Sequence, residues 1–393
     1  MKHSAIIALK CGTQNYEWGV KGPKSLVAAL RRRCDPKFEI KEDISYAELW
    51  MGTHPKLESQ VRTAQGMVPL SIFLKENQLP GLKYLFKVLS VEKALSIQVH
   101  PDKNSAVNLH SKFPNIYQDN NHKPEMAIAI SNFKALIGFR PLSEAKELIK
   151  DIPSLNNYFN IAQACDERET LKKIVSELVK LDNNALKGIF DEILASQNTD
   201  MITETFKTLF EQYKYDIGCL FLFLMNFVEL KPGEAIVIGP GVPHCYLKGD
   251  IVECMANSDN VIRLGLTGKH KDVNTMLQLT DFTPYNAQHF KPETVVLDCK
   301  ADTKSTTVQY KSGFDEFDIY KIHVAPRDRQ VSIGVKASSI MIVISGASKV
   351  QITSKWDEKW KIRKGDVFLI KLDATLLFED VKEELLVYIA QQN

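Results

Sequence analysis

The chain has 393 residues, which at roughly 150 residues per domain suggests two or three domains rather than one small module. Its composition, 44% hydrophobic and 25% charged, is close to the globular average and excludes a disordered polymer. Fifty Lys and Arg residues against 48 Asp and Glu residues leave a net charge of +2, which argues against a nucleic-acid partner. The longest apolar run, 217–228, is shorter than the ~20 residues of a membrane-spanning helix, so we expect no membrane partner.

The amino terminus and the cysteines favour a protein of the cytoplasm. Residues 1–9 lack the extended apolar stretch and the cleavage site of a signal peptide. The cysteines are scattered and form no Cys-x-x-Cys pair, which favours reduced thiols and excludes thiolate zinc fingers. They are Cys11, Cys34, Cys165, Cys219, Cys245, Cys254 and Cys299. A metal site in this chain must therefore use nitrogen and oxygen ligands.

The chain consists of two β-rich parts separated by a helical insertion. Residues 1–140 read as short strands between turn residues, with clear alternation of apolar and polar residues over 95–100. Helical patterns prevail over 141–216, and strand-like segments return over 217–289 and 290–393. The predicted fold class is therefore mainly β with an α-helical insertion.

The insertion shows capping residues and apolar spacings of three and four. The predicted helices cover 143–152, 167–181, 184–195 and 201–213. Ser143 is placed to cap the first of them and Asp166 to cap the second. The apolar segment 219–228 that follows is either a helix or a strand, and its period does not decide between the two.

Two segments, 231–241 and 363–373, share one pattern. Each has a basic start, a Gly, an acidic residue and then four apolar residues. A turn whose Gly takes positive φ, followed by a buried strand, is the unit that barrels and jelly rolls repeat. The pair predicts two β-barrels, although turns of this kind also occur singly in β proteins. Only the first copy continues into a histidine, His244, so we expect any metal chemistry in the first barrel.

Two histidines on strand-like segments resemble a metal site. Alternation over 95–100 places Ser96, Gln98 and His100 on one polar face. His244 shares a face with Tyr246 on a similar segment. The simpler interpretation is that the polar face of 95–100 points to water.

Glu125 is the candidate carboxylate ligand, because it opens the apolar segment 126–130 and an acid there needs a partner. Imidazole and carboxylate ligands suit zinc and other divalent ions. The alternative is a salt bridge between Glu125 and Lys123, with His122 as a solvated loop residue.

Two charged residues, Glu253 and Arg263, stand in otherwise apolar strands. The planar guanidinium of Arg263 suits a phosphate or carboxylate, and Lys269 and Lys271 follow in a loop opened by Gly268. The alternative is an ordinary ion pair between Glu253 and Arg263.

Together these motifs resemble the type I mannose-6-phosphate isomerases. The similarity is carried by ordered blocks at 14–19, 46–55, 85–89, 95–103, 121–125, 232–246 and 253–269. Leu264, Gly268 and Cys245 depart from the residues usual in the family, which puts loop shape in doubt. From about Phe290 the chain matches only in its general pattern.

The resemblance implies two cupin-type jelly-roll barrels and an α-helical domain. The catalytic cupin would comprise 1–140 and 217–289, interrupted by the helical insertion at 141–216, and 290–393 would form the second barrel. The resemblance also implies that the protein is a monomer and that it binds a small sugar phosphate.

The implied reaction interconverts mannose 6-phosphate and fructose 6-phosphate through an enediol(ate) and supplies mannose phosphates for mannosylation precursors. The resemblance implies one zinc ion per chain, held by Gln98, His100, Glu125 and His244. It implies a substrate site that includes Trp18, Glu48, Lys87, Ser96 and Lys269. It implies reaction chemistry at Arg263, Glu253, Lys123 and Tyr246. Glu253 is the preferred acid or base, because a carboxylate among apolar neighbours should have a raised pKa.

Two other functions remain open. A two-cupin iron oxygenase would use similar His and carboxylate ligands, and a sugar-binding or storage protein would bind without turnover. The Gln-x-His spacing, together with Lys-Pro-Glu, favours the isomerase over both.

Overall fold

The computed structural model describes residues 4–161, 166–298, 304–326, 328, 331–353 and 357–393. Cys165 and Cys299, which we expect to be reduced, lie outside the described residues, and the cysteines within them are all free thiols. The molecule is mainly β with several helices, as predicted. Within the described ranges, no helix combines the length and the apolar character needed to cross a membrane.

The strands before the helical insertion are β1 Ile6–Lys10, β2 Gly12–Gln14, β3 Val20–Lys21, β4 Ser45–Tyr46, β5 Glu48–Met51, β6 Gln60–Thr63, β7 Gly66–Pro69, β8 Tyr84–Val91, β9 Ile97–Val99, β10 Glu125–Ala129 and β11 Phe133–Phe139. After it come β12 Met225–Leu230, β13 Ala235–Ile238, β14 His244–Ala256, β15 Ile262–Gly265, β16 Glu293–Asp298, β17 Thr306–Lys311 and β18 Asp318–Val324. The last are β19 Val331–Gly334, β20 Ser339–Ser345, β21 Ala347–Thr353, β22 Glu358–Arg363, β23 Val367–Ile370, β24 Thr375–Glu379 and β25 Leu385–Gln391.

The helices are α1 Leu26–Cys34, α2 Leu70–Glu76, α3 Lys103–Lys112, α4 Leu142–Ile149, α5 Pro153–Ile161, α6 Glu167–Leu178, α7 Asn183–Ala195, α8 Met201–Tyr213 and α9 Val273–Leu279. Short 3₁₀ helices occupy Gly22–Lys24, Ile217–Phe223 and Ala287–Phe290.

The insertion is helical as predicted, with differences at its ends. The Asp166 side chain accepts a hydrogen bond from Glu169 N at 2.8 Å, which confirms the predicted cap. The cap predicted at Ser143 is wrong, because α4 already begins after Pro141, whose φ of −51° suits a helix start. Sequence spacing also missed α5 as a separate helix. The undecided segment 219–228 is neither helix nor strand throughout, since a 3₁₀ helix precedes β12.

Strand β14 is the centre of the ten-stranded sheet that positions the site. Its later residues pair with β8 and β10, and its earlier residues pair with β11, with a single contact to β9. The strand is 13 residues long, so its start and its end reach different parts of one cavity. The apolar faces of the insertion helices pack on the 3₁₀ helix Ile217–Phe223, which precedes β12.

The carboxy-terminal strands form a nine-stranded sheet that also includes the first strand of the chain. Its order is β16-β17-β18-β25-β20-β23-β1-β6-β7, and β1 pairs with both β23 and β6. Strands β19, β24, β21 and β22 form a separate four-stranded sheet. Backbone hydrogen bonds therefore join β1 to the carboxy-terminal strands.

The repeated turn predicted at two places is confirmed in detail. Gly233 and Gly365 have φ of 90° and 87°, a region that favours glycine. Lys231 N donates to Glu234 Oε2 at 2.8 Å, and Arg363 N donates to Asp366 Oδ2 at 2.9 Å. A buried strand follows each turn. The arrangement of the strands into two barrels with the stated boundaries stays a prediction.

Candidate functional site

Three predicted metal ligands converge at the ends of three strands. His100 follows β9, Glu125 begins β10, and His244 begins β14. His100 Nε2 lies 3.3 Å from Glu125 Oε1, and His244 Nε2 lies 3.4 Å from Glu125 Oε2. One ligand atom from each residue falls within 4.8 Å of the other two, and all three side chains are buried. This geometry suits a single metal ion.

Backbone carbonyls orient both imidazoles towards the same point. His100 Nδ1 lies 2.7 Å from Asn260 O, and His244 Nδ1 lies 3.0 Å from Val242 O. Because a carbonyl only accepts, each Nδ1 carries a proton, and Nε2 is the ring nitrogen that faces a metal. Burial, reinforced by the charge of Lys123, lowers the pKa of His100 to about 4, so its imidazole is neutral at physiological pH.

The donor set fits a divalent cation. His100 Nε2 and Glu125 Oε2 are buried and have no hydrogen-bond partner among the described residues. Leaving such atoms unpaired is costly unless a cation is bound. Burial opposes ionisation of Glu125, but Lys123 and His100 outweigh it and hold the pKa of that carboxyl well below its usual range. Two imidazoles and one carboxylate are a donor set typical of zinc.

Gln98, the fourth predicted ligand, stands opposite His244 in the ladder between β9 and β14. Its amide Nε2 lies 3.2 Å from His244 Nε2, and Ser96 Oγ donates to Gln98 Oε1 at 3.4 Å. The polar face of 95–100 therefore does not point to bulk water. His100 is fully buried, and Ser96 and Gln98 line a cavity.

The simpler alternative for 122–125 is half correct. Lys123 Nζ does lie 3.0 Å from Glu125 Oε1, while the same carboxylate also faces both histidines. His122 is not a solvated loop residue, because it is buried and its Nε2 lies 2.7 Å from Glu316 Oε1. Sequence spacing could not reveal a partner so distant along the chain.

A cavity of about 700 Å³ opens beside the three converging ligands. Every predicted site residue except His100 and His244 lines it, namely Trp18, Glu48, Lys87, Ser96, Gln98, Lys123, Glu125, Tyr246, Glu253, Arg263 and Lys269. The two histidines have no solvent-exposed surface and lie behind its wall. Residues far apart in sequence are therefore brought to one site.

The alternative of an ion pair between Glu253 and Arg263 is wrong. The register of β14 on β8 places Glu253 opposite Lys87, and Lys87 Nζ lies 3.1 Å from Glu253 Oε2. Arg263 lies on β15 opposite Gln98. Burial raises the pKa of Glu253; Lys87 opposes this shift, and the charges of Glu125 and Glu48 add to it.

Arg263 is a partly buried cation that lines the same cavity. Within the described part of the chain, its guanidinium makes no ion pair or hydrogen bond, and burial lowers its pKa. Lys269 Nζ lies 5.7 Å from the centre of the Tyr16 ring and lines the same cavity. Lys271 instead pairs with Asp216 at 2.7 Å. The cavity thus offers Arg263 and Lys269 to an anionic ligand.

Tyr246 places a phenol between the metal ligands and Glu253. Its hydroxyl is buried and has no hydrogen-bond partner among the residues the structure describes. Burial, with the charges of Glu253 and Glu125, holds the pKa of Tyr246 well above its usual range. The phenol is therefore protonated at neutral pH and can donate a hydrogen bond.

Several cavity residues were missed from sequence. Trp50 and His54 stand within the block 46–55, yet nothing in their spacing marked them. Asp259 also lines the cavity and contacts Lys56 at 3.0 Å and His54 at 3.5 Å. An acidic loop residue with no periodic neighbours carries no sequence signal.

The helical insertion also reaches the cavity. Tyr213, the last residue of α8, lines it beneath Lys93, whose Nζ lies 4.2 Å from the centre of the tyrosine ring. Gln212 Oε1 accepts a hydrogen bond from Ala94 N at 3.0 Å. The end of α8 thus supports the segment that leads into β9.

Comparisons with known proteins point to one enzyme family. The model of the phosphomannose isomerase type I catalytic domain matches residues 6–142. Mannose-6-phosphate isomerase of Rattus norvegicus is 35% identical, over 99% of this chain and 99% of the rat chain. The crystal structure of a mutant phosphomannose isomerase from Salmonella typhimurium has a TM-score of 0.86 at 25% identity, covering 99% of this chain and 100% of the other.

A zinc-bound crystal structure of mannose 6-phosphate isomerase has a TM-score of 0.85 at 26% identity and covers 99% of this chain and 100% of its own. The similarity spans both β-rich parts and the helical insertion, so it is not limited to one motif. The chain therefore belongs to the family of type I mannose-6-phosphate isomerases.

Proposed function

We propose that this protein interconverts mannose 6-phosphate and fructose 6-phosphate and holds one zinc ion per chain. The observation that carries the proposal is the buried His100, Glu125 and His244 cluster beside a cavity lined by Arg263, a cation with no ion pair among the described residues. The names of the relatives point to the same reaction.

Gln98, His100, Glu125 and His244 would hold the zinc ion. Zinc bound there would supply Lewis acidity that stabilises negative charge on a substrate oxygen. Asn260 and Val242, through their carbonyls, keep the two imidazoles in the tautomer that this role requires.

Isomerisation of the open-chain sugar moves a proton between C1 and C2 through an enediol(ate), so the remote phosphate must be held while the proton moves. We assign the phosphate to Arg263 and Lys269, which have no carboxylate partner among the described residues. Ser96 is a further candidate donor. Lys87 is less available, because Glu253 and Glu48 both contact its Nζ.

Glu253 is the proposed acid and base. It lines the cavity, its pKa is raised by burial, and Lys87 fixes the position of one carboxylate oxygen. The competing groups suit other roles: Lys123 is paired with Glu125, and Tyr246 suits hydrogen-bond donation to a substrate oxygen. Trp18, which stacks with Tyr16 at a ring separation of 5.8 Å, would form one wall of the sugar site.

The wider context of the reaction is also a proposal. Mannose phosphates formed here would feed the synthesis of mannosylation precursors. We propose a monomer located in the cytoplasm. The location is consistent with free thiols at Cys11, Cys34, Cys219, Cys245 and Cys254, since disulfides are rare there. The fold is proposed to comprise two cupin-type jelly rolls, the first interrupted by the helical insertion.

A coupled assay tests substrate and metal together. Fructose 6-phosphate formation from mannose 6-phosphate is measured before metal removal, after it and after addition of zinc. We expect activity to disappear with the metal and to return with zinc. Full activity in protein verified to be metal-free would contradict the role of zinc.

The same preparations separate the other two functions. An iron oxygenase would contain iron and consume oxygen during turnover. A storage or sugar-binding protein would bind mannose 6-phosphate without converting it. Either result would replace the isomerase proposal.

A further inference from the structure

The bend at 312–317, between β17 and β18, reaches the segment that leads to the ligand Glu125. Glu316 Oε1 lies 2.7 Å from His122 Nε2, and both side chains are buried. His122 precedes Glu125 by three residues, with Lys123 and Pro124 between them. A carboxylate from the carboxy-terminal sheet is thus hydrogen-bonded to the chain immediately before a metal ligand.

The same bend contacts the segment that leads to His244. The Phe314 ring meets the His122 ring edge-on, with ring centres 6.3 Å apart. The same ring lies close to Gly239, because a Cβ atom added to this glycine would be 3.8 Å from Phe314 Cζ. Gly239 opens the turn that ends at His244, and within this turn Gly241 N donates to His100 O at 2.9 Å. The bend therefore lies against both the segment that precedes Glu125 and the segment that precedes His244.

Internal hydrogen bonds hold the bend in shape. Ser312 N donates to Asp318 Oδ1 at 2.8 Å, and Phe314 N donates to Ser312 Oγ at 3.0 Å. The last residue, Asn393, donates through Nδ2 to Phe314 O at 2.6 Å. The bend presents Glu316 from a preorganised backbone, so the position of His122 is defined by a rigid partner.

The charge of Glu316 is retained in this environment. Burial opposes its ionisation, but the hydrogen bond and charge of His122, with Lys103 Nζ at 3.4 Å, outweigh burial and lower the pKa of the carboxyl. A charged acceptor forms a stronger hydrogen bond than a neutral one. The contact is therefore suited to holding an imidazole in one orientation.

We propose that Glu316 is a positioning residue of the metal centre, acting through His122 on the carboxylate of Glu125. The proposal rests on the zinc site put forward above, and it gives the carboxy-terminal sheet a role in metal binding. Partners hydrogen-bonded directly to a ligand typically change metal affinity about 10–100-fold when they are removed, and Glu316 is one residue further from the metal, so we expect the lower end of that range.

The test compares Glu316→Ala and Glu316→Gln with the control Glu293→Gln. Glu293 lies on the same sheet and pairs with Lys311, but its side chain is 68% exposed. Zinc affinity is measured by competition with a chromophoric chelator, and thermal unfolding is followed on the metal-free proteins. We expect about 10-fold weaker zinc binding for Glu316→Ala, a smaller loss for Glu316→Gln, and a change below about twofold for the control.

A double-mutant cycle with His122→Gln covers the case in which Glu316→Ala does not fold. If Glu316 acts through His122, the losses of zinc affinity in His122→Gln and Glu316→Gln are less than additive when combined. Lower thermal stability with unchanged zinc affinity in the folded variants would overturn the inference and leave the proposed function intact. Absence of zinc binding by the unmodified chain would overturn both.

Discussion

Lys87 and Glu253 stand directly opposite each other on β8 and β14, with Lys87 Nζ 3.1 Å from Glu253 Oε2. The same nitrogen lies 3.4 Å from Glu48 Oε2, and all three side chains are buried. Burial alone would lower the pKa of Lys87, but the two carboxylates outweigh it and raise that pKa. One buried cation therefore compensates two buried acids at the wall of the cavity.

Lys87→Met should destabilise the fold, because it leaves Glu48 and Glu253 buried without their cation. Removing one partner of a buried ion pair costs about 3–5 kcal/mol in the free energy of unfolding. Chemical denaturation of the metal-free protein measures this loss directly. The matched control is Lys248→Met, whose partner Glu92 lies 3.1 Å away and whose pair is largely exposed. Exposed pairs contribute about 0–1 kcal/mol, so equal losses in the two variants would contradict the argument.

Glu253→Gln should reduce kcat by roughly 10²–10⁴-fold, the usual contribution of a positioned acid or base. The pKa of Glu253 is raised by burial, so the ionised base is lost as pH falls through a value above that of an ordinary glutamate. We therefore expect the acid limb of the kcat profile of the unmodified enzyme to lie above about pH 4.3. The profile is measured at saturating zinc, with Glu229→Gln, an exposed acid paired with Lys134, as control. Unchanged kcat in Glu253→Gln would exclude this role.

Arg263→Ala should weaken catalysis without weakening the fold. The side chain has no ion pair or hydrogen bond in the described residues, and burial lowers its pKa. Replacing it with alanine therefore removes a partly desolvated charge and breaks no ion pair with these residues. A charge-assisted hydrogen bond contributes about 1.5–3 kcal/mol, which corresponds to a loss of roughly 10–150-fold in kcat/KM. Steady-state kinetics and thermal unfolding are compared with the exposed control Arg32→Ala. A large fall in stability with unchanged kcat/KM would show a structural role instead.

Asp259→Asn should lower stability at neutral pH by about 1 kcal/mol. Burial opposes ionisation of Asp259, but hydrogen bonds from His54 and Lys56 outweigh it and lower its pKa in the folded state. Because folding lowers the pKa of this carboxyl, its ionised form stabilises the folded protein. This stabilisation is complete above the pKa of about 3.9 in the unfolded chain and is lost as the pH falls through the lower pKa of the folded protein. The difference between the two proteins should therefore shrink below about pH 4, as followed by denaturation at several pH values. A difference that stays constant down to low pH, or an equal effect of the exposed control Asp191→Asn, would contradict this origin.

Local features were the ones most readily predicted. The glycine turns before β13 and β23 follow from glycine's tolerance of positive φ, and the cap at Asp166 follows from a short acidic side chain before a helix. The boundary at Ser143 failed because Pro141 had already set the backbone for the helix. These outcomes depend on residues within one or two turns of each other.

The sequence by itself determined which kinds of groups this protein could bring to a site: imidazoles and a carboxylate for a metal, and cations on apolar strands for an anion. Only the tertiary structure decided the partner of each buried charge. Glu253 pairs with Lys87, 166 positions away, and His122 with Glu316, 194 positions away. Register and sheet packing bring such residues together, because burial of apolar surface depends on the whole chain while spacing rules describe only neighbours.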